Sequence, residues 1–333
     1  MPPLAYLWYL VYLCCVPIIV KIYWKLSTKW NGSYTCLVGK TAIVTGANTG
    51  LGYFTAQDLA KRGAKVILAC RNKAKAEAAC QKIIKETNNK SVCYKLVDMT
   101  SLDSIRNFAK EINLIEDRLD ILVNNAGLGF LDQDYTEDGI QYLLHVNHIS
   151  PFLLTHLLMG KLRHSAPSRI VNVASIAASR SKLTADNLDK INDVPKVSVS
   201  RVLRDSRVYG TTKLCNILFT MELAAKLHGT GVTVNCLHPG VIHTEFFRGL
   251  NGLLKMATSF VGKILLMTPE EGAQTQIYLA VSKDVEGISG GFFTNCRQTE
   301  LYSTAKNPVL AKLLWEKSEE LAKLQTGEKL HLN

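Results

Sequence analysis

Thr45-Gly46-Ala47-Asn48-Thr49-Gly50-Leu51-Gly52 is the stretch that decides the fold. It follows the β-branched run Thr41 to Val44 and precedes a helical pattern over Thr55 to Arg62, which Gly63 ends. Glycines 46, 50 and 52, set between a strand and a helix, permit a tight turn. They also let the backbone approach a pyrophosphate lying on the helix amino end. Asn48, Thr49 and Leu51 complete the turn and join Gly46, Gly50 and Gly52 as cofactor-binding candidates.

Outward from the turn, short apolar runs alternate with helical segments. Strands are expected over Lys65 to Ala69, Val92 to Val97, Leu119 to Val123, Ile170 to Ala174, Val232 to Leu237 and Gly291 to Thr294. Helices are expected over Lys73 to Glu86, Leu102 to Ile115, Gly139 to Leu162 and Ser206 to Leu227. This alternation predicts an α/β fold of Rossmann type, a doubly wound parallel sheet with helices on both faces. A chain of 333 residues accommodates one such domain, here placed at 40–333 and closed by an amphipathic helix from Val309 to Leu324.

The residues before it read differently. Leu4 to Val20 carries no charge, and Ile22, Tyr23 and Trp24 extend it toward the length needed to span a bilayer, so 1–24 reads as a membrane-anchor helix. A cleaved signal peptide fits less well, because no basic residue precedes the run and no small-x-small site follows it. A monotopic segment lying in the interface is the other reading of the same residues. Lys21, Lys25, Lys29 and Lys40 follow the run, which places that flank, and the catalytic domain, on the cytosolic side. Residues 25–39 read as a linker with an Asn31-Gly32 turn. Nine scattered cysteines without a CxxC pair indicate reduced thiols and no metal site. The net charge of +11 comes without a basic motif interleaved with aromatics, so no nucleic-acid partner is expected. Anionic lipid and a phosphorylated cofactor account for it better.

The second expected strand ends in Ala69-Cys70-Arg71-Asn72-Lys73, where an acidic residue would bond a ribose 2′-hydroxyl and repel a 2′-phosphate. Arg71 can instead clamp a 2′-phosphate in bidentate fashion, with Lys73 adding charge, so NADP(H) is the expected cofactor. Asp98, at the end of the third strand, is a candidate adenine contact, or else a cap for the helix starting near Ser101.

Tyr209 and Lys213 stand four residues apart on an expected helix and share one face. A phenol with a pKa of about 10 is a poor base near neutrality unless a neighbouring ammonium stabilises the phenolate. Lys213 can also bond a ribose hydroxyl. A second Tyr-x-x-x-Lys, Tyr302 to Lys306, is rejected because it follows the last strand and Asn307-Pro308 breaks any helix there. Ser175 ends the strand Ile170 to Ala174, the end where open parallel sheets hold ligands, and can steady a substrate oxygen. Asn147 lies mid-helix, either bridging to Lys213 through water or satisfied in the core; His145, His148 and His156 read as helix-face residues.

Taken together and in order, these residues resemble the short-chain dehydrogenase/reductase family over roughly Lys40 to Thr294. The nucleotide turn falls on Gly46, Gly50 and Gly52, the fourth-strand motif on Asn124, Asn125, Ala126 and Gly127, and the catalytic tetrad on Asn147, Ser175, Tyr209 and Lys213. Leu68 to Asn72, Leu237 to Val241, Thr244-Glu245, Thr268 to Gln274 and Leu314 to Glu316 are similar to the microsomal retinol dehydrogenase/retinal reductase branch. The resemblance implies that Asn125, Ala126, Gly127, Pro239, Gly240 and Thr244 also contact the cofactor. It implies an NADP(H)-linked enzyme that interconverts a hydrophobic alcohol and its aldehyde at the membrane of the endoplasmic reticulum or a lipid droplet. About 34 residues separate Ser175 from Tyr209, an insertion longer than the family's usual spacing, and Thr184 to Val202 is expected to loop near the substrate mouth. In relatives the region of Gly249 to Met267 closes over the substrate, and here it reads as an apolar lid broken by Lys255 and Lys263, or else as an amphipathic packing helix. The small lipophilic substrate could be a retinoid, a prenyl alcohol, a steroid or a fatty aldehyde. A hydroxysteroid dehydrogenase of the same fold is the nearest alternative, and a non-catalytic NADP-binding membrane scaffold a more distant one. A homodimer is compatible with the sequence, which does not read out oligomeric state.

Overall fold

β-branched and aliphatic runs, buried on both faces, assemble into a single sheet in the computed structural model, which describes residues 19–23, 25–129, 133–194, 201–242 and 266–330. The strands are β1 (Thr41–Thr45), β2 (Lys65–Cys70), β3 (Val92–Leu96) and β4 (Ile121–Asn124). They continue as β5 (Ser168–Val173), β6 (Val232–His238), β7 (Phe292–Thr294) and β8 (Arg297–Thr299). Their spatial order is β3-β2-β1-β4-β5-β6-β7-β8. Neighbours from β3 through β7 run parallel, and β8 pairs antiparallel with β7. The short, exposed β8 was not among the expected strands. An edge strand of three polar residues carries no apolar alternation to reveal it.

Two helical layers cover the sheet. Val44, Leu68 and Val123 pack on one side against α1 (Gly50–Lys61), α2 (Lys73–Thr87) and α6 (Pro269–Val281). Ile43, Ile67 and Leu122 pack on the other against α3 (Leu102–Ile115), α4 (Ser150–His164) and α5 (Arg201–Lys226). Each fully buried aliphatic side chain in these layers contributes about 1.5–3 kcal/mol. α7 (Pro308–Leu321) packs on α5 from outside. Side-chain caps fix where helices begin. Asn72 accepts from Lys75 N at 2.9 Å and Ser101 from Ser104 N at 3.2 Å. Thr268 and Glu271 form a capping box, and Asn307 accepts from Leu310 N at 3.1 Å.

Three boundaries differ from expectation where function is concerned. α1 begins at Gly50, so the glycine turn feeds directly into its amino end. The segment before α4 is a short α turn, Tyr142–Leu144, followed by a π-helical turn, His145–Ile149. α5 begins at Arg201 instead of Ser206, so Tyr209 lies deeper inside the helix than expected. Within the long insertion, Ala185–Lys190 forms a 3-10 turn whose Leu188 is buried, and Asn192 bonds Gln141 N at 2.8 Å. That part of the expected loop is therefore packed on the domain.

Residues 27–37 lack regular structure for the most part, yet they are tied to the domain. Asn295 accepts from Lys29 N at 2.7 Å and donates to Ser27 O at 2.8 Å. Leu37 N donates to Arg62 O at 2.8 Å, and Asn31 N donates to Gln274 Oε1 at 3.1 Å. The expected anchor lies almost wholly outside the described residues, and among the described residues no helix is long and apolar enough to cross a membrane.

Candidate active site

The strand order reverses between β1 and β4, and a crevice must open there at the carboxyl ends of the strands. A cleft of about 550 Å³ occupies that place. Gly46, Asn48, Thr49, Gly50 and Leu51 line one end of it, and Ser175, Tyr209 and Lys213 the other.

Gly46 and Gly50 hold φ of +65° and +62°, values that favour glycine. A Cβ on Gly46 would lie 3.1 Å from the Ala126 Cα, so the turn presses directly on the β4 end. Thr45 staples the two strand ends together. Its buried hydroxyl accepts from Asn125 N at 3.0 Å and Ala126 N at 2.9 Å. Gly52 lies beneath the cleft rather than on its wall. A Cβ there would stand 2.5 Å from Asn125 Nδ2 and 2.7 Å from Gly46 O. Sequence reasoning missed a support for this turn. Buried Gln276, on α6, donates to Asn125 Oδ1 at 3.2 Å and accepts from Thr55 Oγ1 at 3.0 Å. Asn125 in turn donates to Thr45 O at 2.7 Å. No motif announces Gln276; its only signal is a polar residue on the buried face of a helix.

Arg71 and Asp98 face each other across the end of the cleft, with Arg71 Nη1 4.0 Å from Asp98 Oδ2. The other oxygen of Asp98 accepts from Thr100 N at 2.9 Å and Thr100 Oγ1 at 2.8 Å. Asp98 thus closes a turn, while Ser101 is the residue that caps α3. Lys73 is the first residue of α2, exposed, and does not line the cleft. Among the described residues that line this end, the Arg71 guanidinium is the cation.

At the other end, Ser175 follows β5 and accepts from Ala177 N at 3.2 Å as the cap of the 3-10 turn Ile176–Arg180. The Ser175 hydroxyl stands close enough to the Tyr209 phenol to draw its pKa down. Close packing makes that approach possible: a Cβ on Gly210 would meet Ala177 O at 2.7 Å. The Lys213 ammonium donates to Val173 O at 2.8 Å and sits 5.6 Å from the Tyr209 ring centre. An ammonium has three donors, and the two not spent on Val173 can serve the cleft that Lys213 lines. Burial pushes the Tyr209 phenol up to about 12, against the lowering effect of the nearby Ser175 hydroxyl. Burial also pulls Lys213 down to about 8.

Asn147 occupies the π turn. Its side chain accepts from Leu128 N at 2.8 Å and donates to Leu128 O at 2.9 Å and Thr212 Oγ1 at 3.1 Å. It is satisfied by the backbone, and its Oδ1 and Lys213 Nζ converge on Gly127, at 3.3 and 3.4 Å from where a Cβ would stand. Asn125, Ala126, Gly127, Pro239 and Gly240 all line the cleft. Thr244 lies outside the described residues, as does nearly all of the expected lid; Ile242 and Met267 form a parallel bridge.

The second Tyr-x-x-x-Lys is elsewhere. Tyr302 packs on Phe292 with ring centres 5.2 Å apart, and Lys306 pairs with Glu300 at 3.1 Å. His145, His148 and His156 are buried in the core. Among the described residues, no group of His, Cys, Asp and Glu could hold a metal.

A glycine-turn crevice that ends in a serine, a tyrosine and a lysine defines a dinucleotide-dependent oxidoreductase site. The sequence pattern of the short chain dehydrogenases matches residues 40–185, and that of the enoyl-(acyl carrier protein) reductases matches 193–294. Dehydrogenase/reductase SDR family member 13 of Bos taurus is 43% identical over 293 residues, covering 88% of this chain and 75% of its own. Retinol dehydrogenase 14 of Homo sapiens is 41% identical over 301 residues, covering 86% and 87%. The crystal structure of an uncharacterized protein from Mycobacterium Paratuberculosis superposes with a TM-score of 0.70 at 27% identity, covering 90% and 98%. The chain belongs to the short-chain dehydrogenase/reductase family and is an oxidoreductase acting on CH–OH groups with a nicotinamide dinucleotide.

Proposed function

We propose that this protein uses NADP(H) to interconvert a hydrophobic alcohol and its aldehyde or ketone, with a retinoid or a similar isoprenoid or lipid aldehyde as substrate. The observation that carries the reading is that Ser175, Tyr209 and Lys213 line one cleft at the strand ends, with the Lys213 ammonium 5.6 Å from the Tyr209 ring. The cradle fits a dinucleotide: Gly46 and Gly50 take left-handed φ values, and the amino end of α1 faces the cleft. Arg71 supports the phosphorylated form, because β2 ends without an acid and the guanidinium keeps 63% of its side chain exposed.

When bound, the nicotinamide supplies or accepts the hydride. In reduction, Tyr209 gives the proton of its Oη to the substrate oxygen; in oxidation it takes one back. At neutral pH the phenol is protonated, the state needed for reduction. Ser175 steadies the oxygen as charge grows on it. Lys213, largely charged below its pKa of about 8, stabilises the phenolate left behind. Asn147 fixes the Leu128 backbone beside Lys213 and supports the proton path.

Leu51, Val97, Met99, Leu128, Val146 and Ile242 give the cleft an apolar wall. That wall, together with likeness to a retinol dehydrogenase, supports a lipophilic substrate. The uncharged run Leu4 to Val20 supports attachment to a membrane, with the catalytic domain on the cytosolic side. The test is cofactor consumption by detergent-solubilised protein against retinal, farnesal, fatty aldehydes and steroid ketones, with NADPH and NADH. Retinal with NADPH is expected to turn over fastest, and Tyr209→Phe to abolish it. A Tyr209→Phe protein with wild-type turnover ends the acid–base assignment. A preference for steroid ketones moves the substrate to the hydroxysteroid class.

A further inference from the structure

A continuous line of buried polar groups runs from the Lys213 ammonium to the C-terminal helix. The Val173 carbonyl, at the end of β5, accepts from Lys213 Nζ at 2.8 Å and from Asn216 Nδ2 at 3.3 Å. Asn216 Oδ1 lies 3.3 Å from His148 Nδ1, and His148 Nε2 lies 2.8 Å from Ser318 Oγ. Four elements therefore meet: β5, α5, the π turn and α7. Asn216, His148 and Ser318 are buried, and none of them lines the cleft.

Hydrogen counting gives the line a direction. A carbonyl only accepts, so Asn216 must turn its amide nitrogen to Val173 and its oxygen to His148. That oxygen also only accepts, so His148 must carry its hydrogen on Nδ1. Burial holds His148 neutral, leaving Nε2 bare, and Ser318 must donate to it. The Ser318 hydroxyl has only one hydrogen. Leu314 O, 2.7 Å away, forgoes it whenever the line is complete. Every donor then points from α7 toward Val173, and such chains strengthen along their length.

We propose that Asn216, His148 and Ser318 are positioning residues for Lys213. They occupy one lone pair of the Val173 carbonyl and limit how strongly it can draw the ammonium away from the Tyr209 ring. Lys213 and Asn216 stand three apart on α5, so one helix face presents both donors to one acceptor. Without the amide, the carbonyl holds Lys213 alone and more tightly, and the ammonium serves the phenol less well. Substrate binding is untouched, because none of the three reaches the cleft. The inference rests on the proposed acid–base roles of Tyr209 and Lys213.

The experiment compares Asn216→Leu, Ser318→Ala, the double variant and Tyr209→Phe, as full chains in detergent, with saturating NADPH and the carbonyl of the panel that turns over fastest. The expected kcat falls about tenfold in Asn216→Leu and about threefold in Ser318→Ala, with KM for the carbonyl within about twofold of wild type. The double variant is expected to be no worse than Asn216→Leu alone, because both changes break the same line. Ser318→Ala removes only a hydroxyl and places a good helix former in α7, so it decides the matter if Asn216→Leu fails to fold. Wild-type kcat in Ser318→Ala, losses that multiply in the double variant, or KM rising in step with the fall in kcat each overturn the proposal. Tyr209→Phe separates the two readings. If it keeps turnover, the acid–base assignment fails; if it is dead while Ser318→Ala matches wild type, only the positioning role fails.

Discussion

The Lys213 ammonium bonds the Val173 carbonyl at 2.8 Å and stands 5.6 Å from the Tyr209 ring centre, so the hydrogen bond it makes within the protein goes to backbone and not to the phenol. Removing this charge from water is costly, and the cost shows in a pKa pulled from 10.5 to about 8 by burial.

Lys213→Met should therefore be inactive yet more stable at pH 7. Below pH 8 both folded and unfolded chains hold the proton, and the penalty is present in full. Between pH 8 and 10.5 the unfolded chain binds more protons, so stability from this group rises with pH until the penalty is gone. A shift of this size is worth about 3 kcal/mol, offset by about 1 kcal/mol for the lost bond to Val173, for a net gain of about 2 kcal/mol. Thermal unfolding at pH 7 and near pH 10 checks it. A variant that melts below wild type at pH 7, or a gap that does not shrink with pH, contradicts the account.

Gly52→Ala should damage the cofactor turn from beneath. The added Cβ would stand 2.5 Å from Asn125 Nδ2 and 2.7 Å from a backbone oxygen, and neither can retreat freely. The expected loss is about 2 kcal/mol of stability, with dinucleotide affinity down about tenfold or more. Fluorescence titration with NADPH, run beside a thermal melt, measures both; unchanged affinity would show that the turn absorbs the methyl.

Gln276→Leu removes the donor to Asn125 Oδ1 and the acceptor for Thr55 Oγ1 in one step. Leaving buried polar atoms without partners costs about 1–3 kcal/mol each before relaxation, so a loss of about 2 kcal/mol is expected. Because Asn125 lines the cleft, NADPH binding should weaken as well. Urea unfolding and a binding titration report the two effects, and a drop in stability with unaltered binding would confine Gln276 to the core.

Asp120 gathers Lys40 at 2.9 Å, Arg118 at 2.6 Å and the Thr41 N–H at 2.9 Å at the start of β1. Burial raises its pKa, but Arg118, the Thr41 N–H and Lys40 together outweigh that and hold it below 3.8. The stability it adds is present above pH 3.8 and is lost as pH falls through the lower folded value. Asp120→Asn should cost about 2 kcal/mol near neutrality, less than a wholly buried pair because both cations are partly exposed. The difference from wild type should narrow below pH 4. An acid titration of unfolding that keeps the two proteins a constant distance apart would contradict this.

The doubly wound sheet and the cleft residues were legible because their signals are local. A glycine turn between strand and helix, and a tyrosine and lysine one helical turn apart, need no knowledge of the rest of the chain. Gln276, Asn216, His148 and Ser318 were not legible for the opposite reason. Each is a polar residue whose meaning comes from a partner 68 to 221 positions away. Asn147 stands out in the sequence as a polar residue within an apolar helical stretch, but the π turn that holds it leaves no mark in hydrophobic periodicity. Lys73 illustrates a limit of charge counting, since its backbone starts α2 and its exposed side chain lies off the cleft wall.

The fastening of residues 27–37 has a mechanical consequence. A free linker lets a domain swivel about whatever precedes it, but Asn295 grips this segment at Ser27 and Lys29, and the Arg62 carbonyl holds Leu37. Little slack remains between the upstream chain and the rim where β7 meets β8. The stretch from Ser27 to Leu37 therefore adds no play of its own: it moves with the sheet edge, as part of the domain and not as a hinge in front of it.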